Sequence, residues 1–401
     1  MNRSEQFVYK LSKAACLSLW TYPNPIGKSG KELCDVLVVC QPDVVIFSVK
    51  EIELKIEGDT TLQAERWKRR AVEASVDQVY GAERRLTAIN EVTASDGRVG
   101  VAVGPLSERR LHRVAVAIGS RGHVPLESRD FGKGFVHVLD EATIALLLSE
   151  LDTITDFVEY LSARQALLMN TGLSGVLISS DEDLLAVYLT GTHSFGSLLQ
   201  GDYHLRIIDG AWEGLSMDPR YLAKKNADED SYVWDSLIGL VHEDYANDNM
   251  ESGGDLASVD SVTRVMARES RLQRRGIGKA FKDFMADETI ASRYVMSDSG
   301  VTYVFLKQAH SEPRERRVAE LQARCFVARD TIDTMGRRGL VAGIATELPE
   351  NGSGSSLDCL LLDVPDWTDT FRARAKWFRE EAGFFKKPRT THVHGDEFPI
   401  A

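Results

Sequence analysis

Residues 31–52 read KELCDVLVVCQPDVVIFSVKEI. This stretch restricts the fold more tightly than any other. Two apolar runs, VLVVC and VVIFSV, flank Gln41-Pro42-Asp43. Neither run alternates with polar residues, so both predict strands covered on both faces, as in a central sheet. A loop spanning Gln41 to Val44 pairs Cys40 with Val45 and sets Asp35 opposite Lys50. Both side chains then emerge on one face at one edge. A three-residue loop would set Asp35 against Val49 and turn Lys50 to the other face. The four-residue loop, or a compensating bulge, is therefore expected.

Helical and strand patterns surround this hairpin. Residues 5–20 repeat apolar positions at helical spacing, and 22–31 form a loop rich in Pro and Gly. Residues 63–88 predict one long helix with Ala64, Trp67, Ala71, Ser75, Gln78, Ala82 and Leu86 on one stripe. Strands are expected at 111–120 and 134–140, then one or two helices. The order helix, hairpin, helix, strand, strand, helix implies an α/β (α+β) layer with a mixed sheet. Beyond residue 170 come short helices, an acidic loop at 247–261, a basic helix at 264–286, paired strands around further helices, and a polar tail. A chain of 401 residues exceeds one comfortable core, so two domains are expected, 1–170 and 171–401.

Composition excludes several classes. The longest apolar stretch is interrupted at Gln41, well short of the roughly 20 residues that a membrane helix needs. The first twenty residues lack a secretory apolar core, which makes a cytoplasmic location the expectation. Five cysteines show no CxxC spacing, arguing against a disulfide framework or structural zinc. His392 and His394, with Asp396 and Glu397, fall in the tail, which is expected to be mobile rather than metal-binding. The net charge is -12, yet residues 1–120 hold 17 basic against 15 acidic side chains. A locally basic surface there suits phosphates better than the acidic remainder does.

A carboxylate and a lysine meeting at a sheet edge suit metal-dependent phosphodiester hydrolysis. Asp35 offers oxygen to a hard cation such as Mg²⁺ or Mn²⁺. The ion would polarise the phosphate and acidify a water. Lys50 would orient that water or offset charge at phosphorus. Glu32, three residues before Asp35, is placed to reach the same ion directly or through water.

KELCDVLVV, a turn and VVIFSVK resemble the PD-(D/E)xK (restriction-endonuclease-like) nuclease superfamily over roughly residues 1–165. That resemblance implies a mixed central sheet flanked by helices, followed here by a second, C-terminal α+β domain. It implies roles for Glu32, Asp35 and Lys50 in a nuclease site, with the Val49 carbonyl as a further metal ligand. Gln78 matches the glutamine that RecB-like members carry on the helix after the Lys strand. Ser48 departs from the pattern, which has Asp or Glu two residues before the lysine.

Two functions follow. One is a Mg²⁺- or Mn²⁺-dependent nuclease acting on DNA, or on RNA, by analogy in phage defence. The other is a catalytically impaired nuclease-like fold serving as an interaction or scaffold module. The C-terminal domain would regulate, mediate homo-oligomer assembly or recognise a protein partner. Arg66, Lys68, Arg69, Arg70, Arg84 and Arg85 form either a nucleic-acid-facing surface or a solvated helix face paired with Glu65, Glu73 and Glu83.

Overall fold

The computed structural model describes residues 1–28, 30–55, 59–170, 176–199, 206–250, 254–336, 339–348, 356–386 and 396–399. It is a mixed α/β protein of two compact units, Met1–Leu222 and Ala223–Ile400. His392 and His394 lie outside the described residues. Among the described residues no helix is long and apolar enough to cross a membrane.

The first unit opens with α1 (Arg3–Cys16), held at its start by a reciprocal capping box between Asn2 and Glu5. Then come β1 (Thr21–Pro23), β2 (Val36–Cys40) and β3 (Asp43–Glu51), antiparallel in that order. Every residue of β2 is buried, as the unbroken apolar run requires. The turn differs from expectation. Cys40 pairs directly with Asp43, leaving only Gln41 and Pro42 in the turn, across a cis peptide bond. Asp43 is drawn into the strand because its carboxylate is buried against His112 (2.8 Å) and Arg110 (2.7 Å). The shorter turn slides the register by two residues. Continued one step past Val36–Phe47, it sets Asp35 beside Ser48 instead of Lys50. A slip of two preserves faces, so Lys50 still shares the face of Asp35.

From β3 the chain crosses through α2 (Thr60–Trp67), a π-helical segment (Lys68–Glu73) and α3 (Ala74–Leu86). A small hairpin follows, β4 (Glu91–Thr93) and β5 (Val99–Ala102). The chain then enters β6 (Arg110–Ile118), parallel to β3. With β7 (Arg129–Asp130) and β8 (Phe135–Leu139), the six-stranded sheet has the order β1-β2-β3-β6-β8-β7. One face packs Ala115, Ala117, Val136 and Val138 against Trp67, Ala71 and Val76 of the crossing helix. The other face meets α1, α4 (Glu141–Glu150) and α5 (Ile154–Leu168), with Phe47 stacked on Phe157.

The first unit extends past the expected boundary at residue 170. It takes in β9 (Val176–Ile178), α6 (Asp181–Thr190), α7 (Gly196–Leu199), β10 (Arg206–Ile208), α8 (Ala211–Ser216) and the first turn of α9 (Pro219–Asp228). Side-chain ties explain this. Buried Arg164 of α5 grips Asp181 at 2.6 Å, and Tyr221 donates to Glu150 at 2.6 Å.

The second unit continues with α10 (Tyr232–Ala246), α11 (Leu256–Ala267) and α12 (Arg271–Ala286). The basic helix expected at 264–286 is broken because Ser270 and Gln273 form a capping box that starts α12. A four-stranded sheet follows: β11 (Ser292–Met296), β12 (Thr302–Gln308), β13 (Val341–Glu347) and β14 (Leu357–Leu362). Helix α13 (Arg314–Thr334) links the parallel pair β12 and β13, and α14 (Asp369–Glu380) packs on it. Gly343 lets α13 approach, since a Cβ there would lie 2.8 Å from the Cys325 sulfur.

Candidate active site

Asp35 stands at the head of β2 and is 3% exposed. Its Oδ2 accepts the Val49 backbone N–H at 2.5 Å, and its Oδ1 accepts from Gln78 Nε2 at 3.0 Å. Both partners are neutral. Burial is the largest influence on the carboxyl and pushes its pKa up to about 6. The Val49 N–H and the charge of Lys50 oppose this, while the charges of Glu5 and Glu32 add to it.

Helix α3 supplies the rest. The Ser75 hydroxyl donates to the Ser48 carbonyl at 2.9 Å, docking the helix on β3. One turn later Gln78 spans two strands. Its Oε1 accepts from Ser48 Oγ at 3.1 Å while its Nε2 reaches Asp35. The amide thus links the two motif positions, with Ser48 itself fully buried. Upstream in the same crossing, Trp67 at the end of α2 donates its Nε1–H to the Ile52 carbonyl at 2.6 Å. Lys50 is half-buried on the same sheet face, one alternate position beyond Ser48.

The remaining expected residues divide. Glu32 is exposed in the loop before β2, bridged to Ile26, and its charge is felt at Asp35. Val49 contributes its N–H to Asp35. Lys68, Arg69 and Arg70 are exposed on the π-helical segment, and Arg84 is exposed on α3. Arg85 is turned inward instead. Its Nη2 donates to the Leu33 carbonyl, between Glu32 and Asp35, so it braces the loop that carries both acids. The pull is local geometry: the Leu33 carbonyl faces α3, and the half-buried guanidinium satisfies it.

Sequence reading missed three contributors: Ser75 as the helix anchor, Glu5 as a charge acting on Asp35, and Arg85 as a brace. Only Ser75 had a legible signal, a small hydroxyl on the buried stripe facing the strand. Glu73 at the end of the π-helical segment and Asp77 and Tyr80 of α3 line a cavity of 220 Å³ with Val76, Phe131 and Lys133. Its acidic lip suits phosphate poorly. Among the described residues, no cluster of three or more His, Cys, Asp or Glu side chains is arranged to hold a metal ion. No protein-family model, curated protein or solved structure matches the chain.

Proposed function

We propose that the N-terminal unit is a restriction-endonuclease-like nuclease that hydrolyses phosphodiester bonds of DNA, or RNA, with Mg²⁺ or Mn²⁺. One observation carries this reading. A buried carboxylate, a lysine and an amide from the crossing helix converge on one sheet face, around Asp35 and the end of β3. The surrounding order is a helix, three antiparallel strands, a crossing helix and a parallel strand. That arrangement accords with the mixed, helix-flanked sheet implied by the resemblance.

The donor set suits one hard cation. Asp35 is charged against burial, and Glu5 and Glu32 deepen the negative potential that an ion would relieve. Asp35, Glu32 and the Val49 carbonyl would hold it. When bound, such an ion polarises phosphate and acidifies water. The chain's own groups do the rest. Lys50 orients the attacking water and offsets charge on the phosphate oxygens. Gln78 fixes the carboxylate's orientation and keeps the Ser48 hydroxyl turned inward. Arg85 holds the acid-bearing loop. Lys68, Arg69, Arg70 and Arg84 meet the phosphate backbone.

Ser48 favours a second reading. A hydroxyl stands where the superfamily has an acid, and both Asp35 oxygens already accept protein donors. Under that reading the unit binds nucleic acid or a protein partner without cutting. A cleavage assay on DNA and RNA, with Mg²⁺ and with Mn²⁺, separates the two. Metal-dependent cleavage that falls by about 100-fold or more in Lys50→Ala supports the nuclease. Folded protein that binds nucleic acid yet leaves it intact with either metal supports the second reading. Absence of both cleavage and nucleic-acid binding would overturn the nuclease proposal.

A further inference from the structure

We propose that Lys224, Asp228 and Arg275 form a receptor for an acidic peptide, filled here by the chain's own residues 396–399 and open to the same segment of a second copy. The site lies in the second unit and stands apart from the nuclease reading.

Asp228 sits between two cations. Its Oδ1 accepts from Arg275 Nε at 3.0 Å and Nη2 at 2.7 Å, and its Oδ2 accepts from Lys224 Nζ at 2.8 Å. Two positive charges face one negative charge, which leaves an excess of positive charge in a poorly solvated place. The side chains of Lys224 and Arg275 are 8% and 10% exposed. The tail removes that excess. Glu397 Oε1 lies 3.3 Å from Lys224 Nζ. Arg275 Nη1 donates to the Asp396 carbonyl at 3.0 Å, and Nη2 reaches the Glu397 carbonyl at 3.5 Å. Phe398 and Pro399 follow, half-buried.

Chemical selectivity follows from these contacts. Arg275 reads two consecutive main-chain carbonyls, which requires the peptide to bend as it does at Glu397 and Phe398. Lys224 reads the carboxylate of the second residue, which requires an acid there. Burial alone would lower the Lys224 pKa, but Asp228 and Glu397 outweigh it, and the net shift is upward. Residues 396–397, expected from sequence to be a mobile tail, are therefore bound through both main chain and side chain. A segment held by a few polar contacts exchanges with an identical segment from another chain, because that segment makes the same contacts. The tail is thus both occupant and competitor.

Fluorescence polarisation with a labelled peptide of the sequence Asp-Glu-Phe-Pro-Ile-Ala, residues 396–401, tests this. The chain lacking those six residues should bind the peptide about tenfold more tightly than the full chain, whose own tail competes. A peptide with Gln in place of Glu should lose about tenfold in affinity. If the shortened chain fails to fold by circular dichroism, full-length Glu397→Ala replaces it and should also bind more tightly than wild type. Equal binding by wild type and the folded variant, or equal binding of the Glu and Gln peptides, overturns the proposal. So does displacement by millimolar inorganic phosphate as effective as by unlabelled peptide, which would indicate a general anion site.

Discussion

Asp35 in the first unit and Asp228 in the second are each 3% exposed, yet they sit in opposite electrostatic situations. Asp228 is clamped by an ammonium and a guanidinium. Asp35 accepts two neutral donors and is pushed up to about 6. Burial is matched, so the partners make the difference. A buried acid closed by full charges is a clamp that ties segments together. A buried acid given only neutral donors, with further acids acting on it, carries an uncompensated charge, which under the proposed function a cation would balance. Glu269 shows that the surrounding charges matter too. It is also raised by burial, but it accepts from Ser297, Ser299 and Tyr303 with the charge of Arg274 opposing the shift, so it reads as a structural core group.

The contrast is broken most forcefully from the clamp side. Arg275→Met removes a buried partner, and stability should fall by about 3–5 kcal/mol. Urea unfolding reads this directly, and a loss below about 1 kcal/mol would dissolve the distinction. The next effect has the opposite sign. The folded pKa of Asp35, about 6, lies above the ordinary 3.8. Its charge therefore costs no stability below pH 3.8, while the penalty grows through the interval and is complete above about pH 6. In buffer with a chelator, Asp35→Asn should gain on wild type as pH rises through that window, by roughly 2–3 kcal/mol at pH 8. A difference that stays flat with pH would remove burial as the cause. The smallest effect belongs to the exposed basic segment. Single Ala substitutions of Lys68, Arg69 or Arg70 should change stability by less than about 0.5 kcal/mol. Each should also reduce the salt dependence of DNA binding by about one unit of slope. An unchanged slope would leave these residues a solvated face.

Much of the first sheet was legible because apolar runs with no alternation leave few alternatives. VLVVC and VVIFSV could only be covered strands, and a slip of two residues leaves faces intact. That is why Asp35 and Lys50 share a face although the turn was read two residues too long. Gln78 was legible as a polar interruption of a small, apolar stripe. Arg85 was not, because one-dimensional charge patterning cannot tell an arginine reaching a backbone carbonyl from one facing solvent. The boundary near 170 failed for a similar reason. Arg164–Asp181 and Tyr221–Glu150 are long-range pairs with no periodic signature. Within the described part of the tail, residues 396–399, polar composition resembled mobility, whereas Glu397 is held by a partner far away in sequence.

The proposed cation at Asp35 is the point on which the rest turns, and electron paramagnetic resonance of free Mn²⁺ at pH 8 measures its binding without requiring turnover. Wild type should take up a single ion per chain, and Asp35→Asn should bind it about tenfold more weakly or worse. Equal uptake by both proteins, or none by either, would contradict the account.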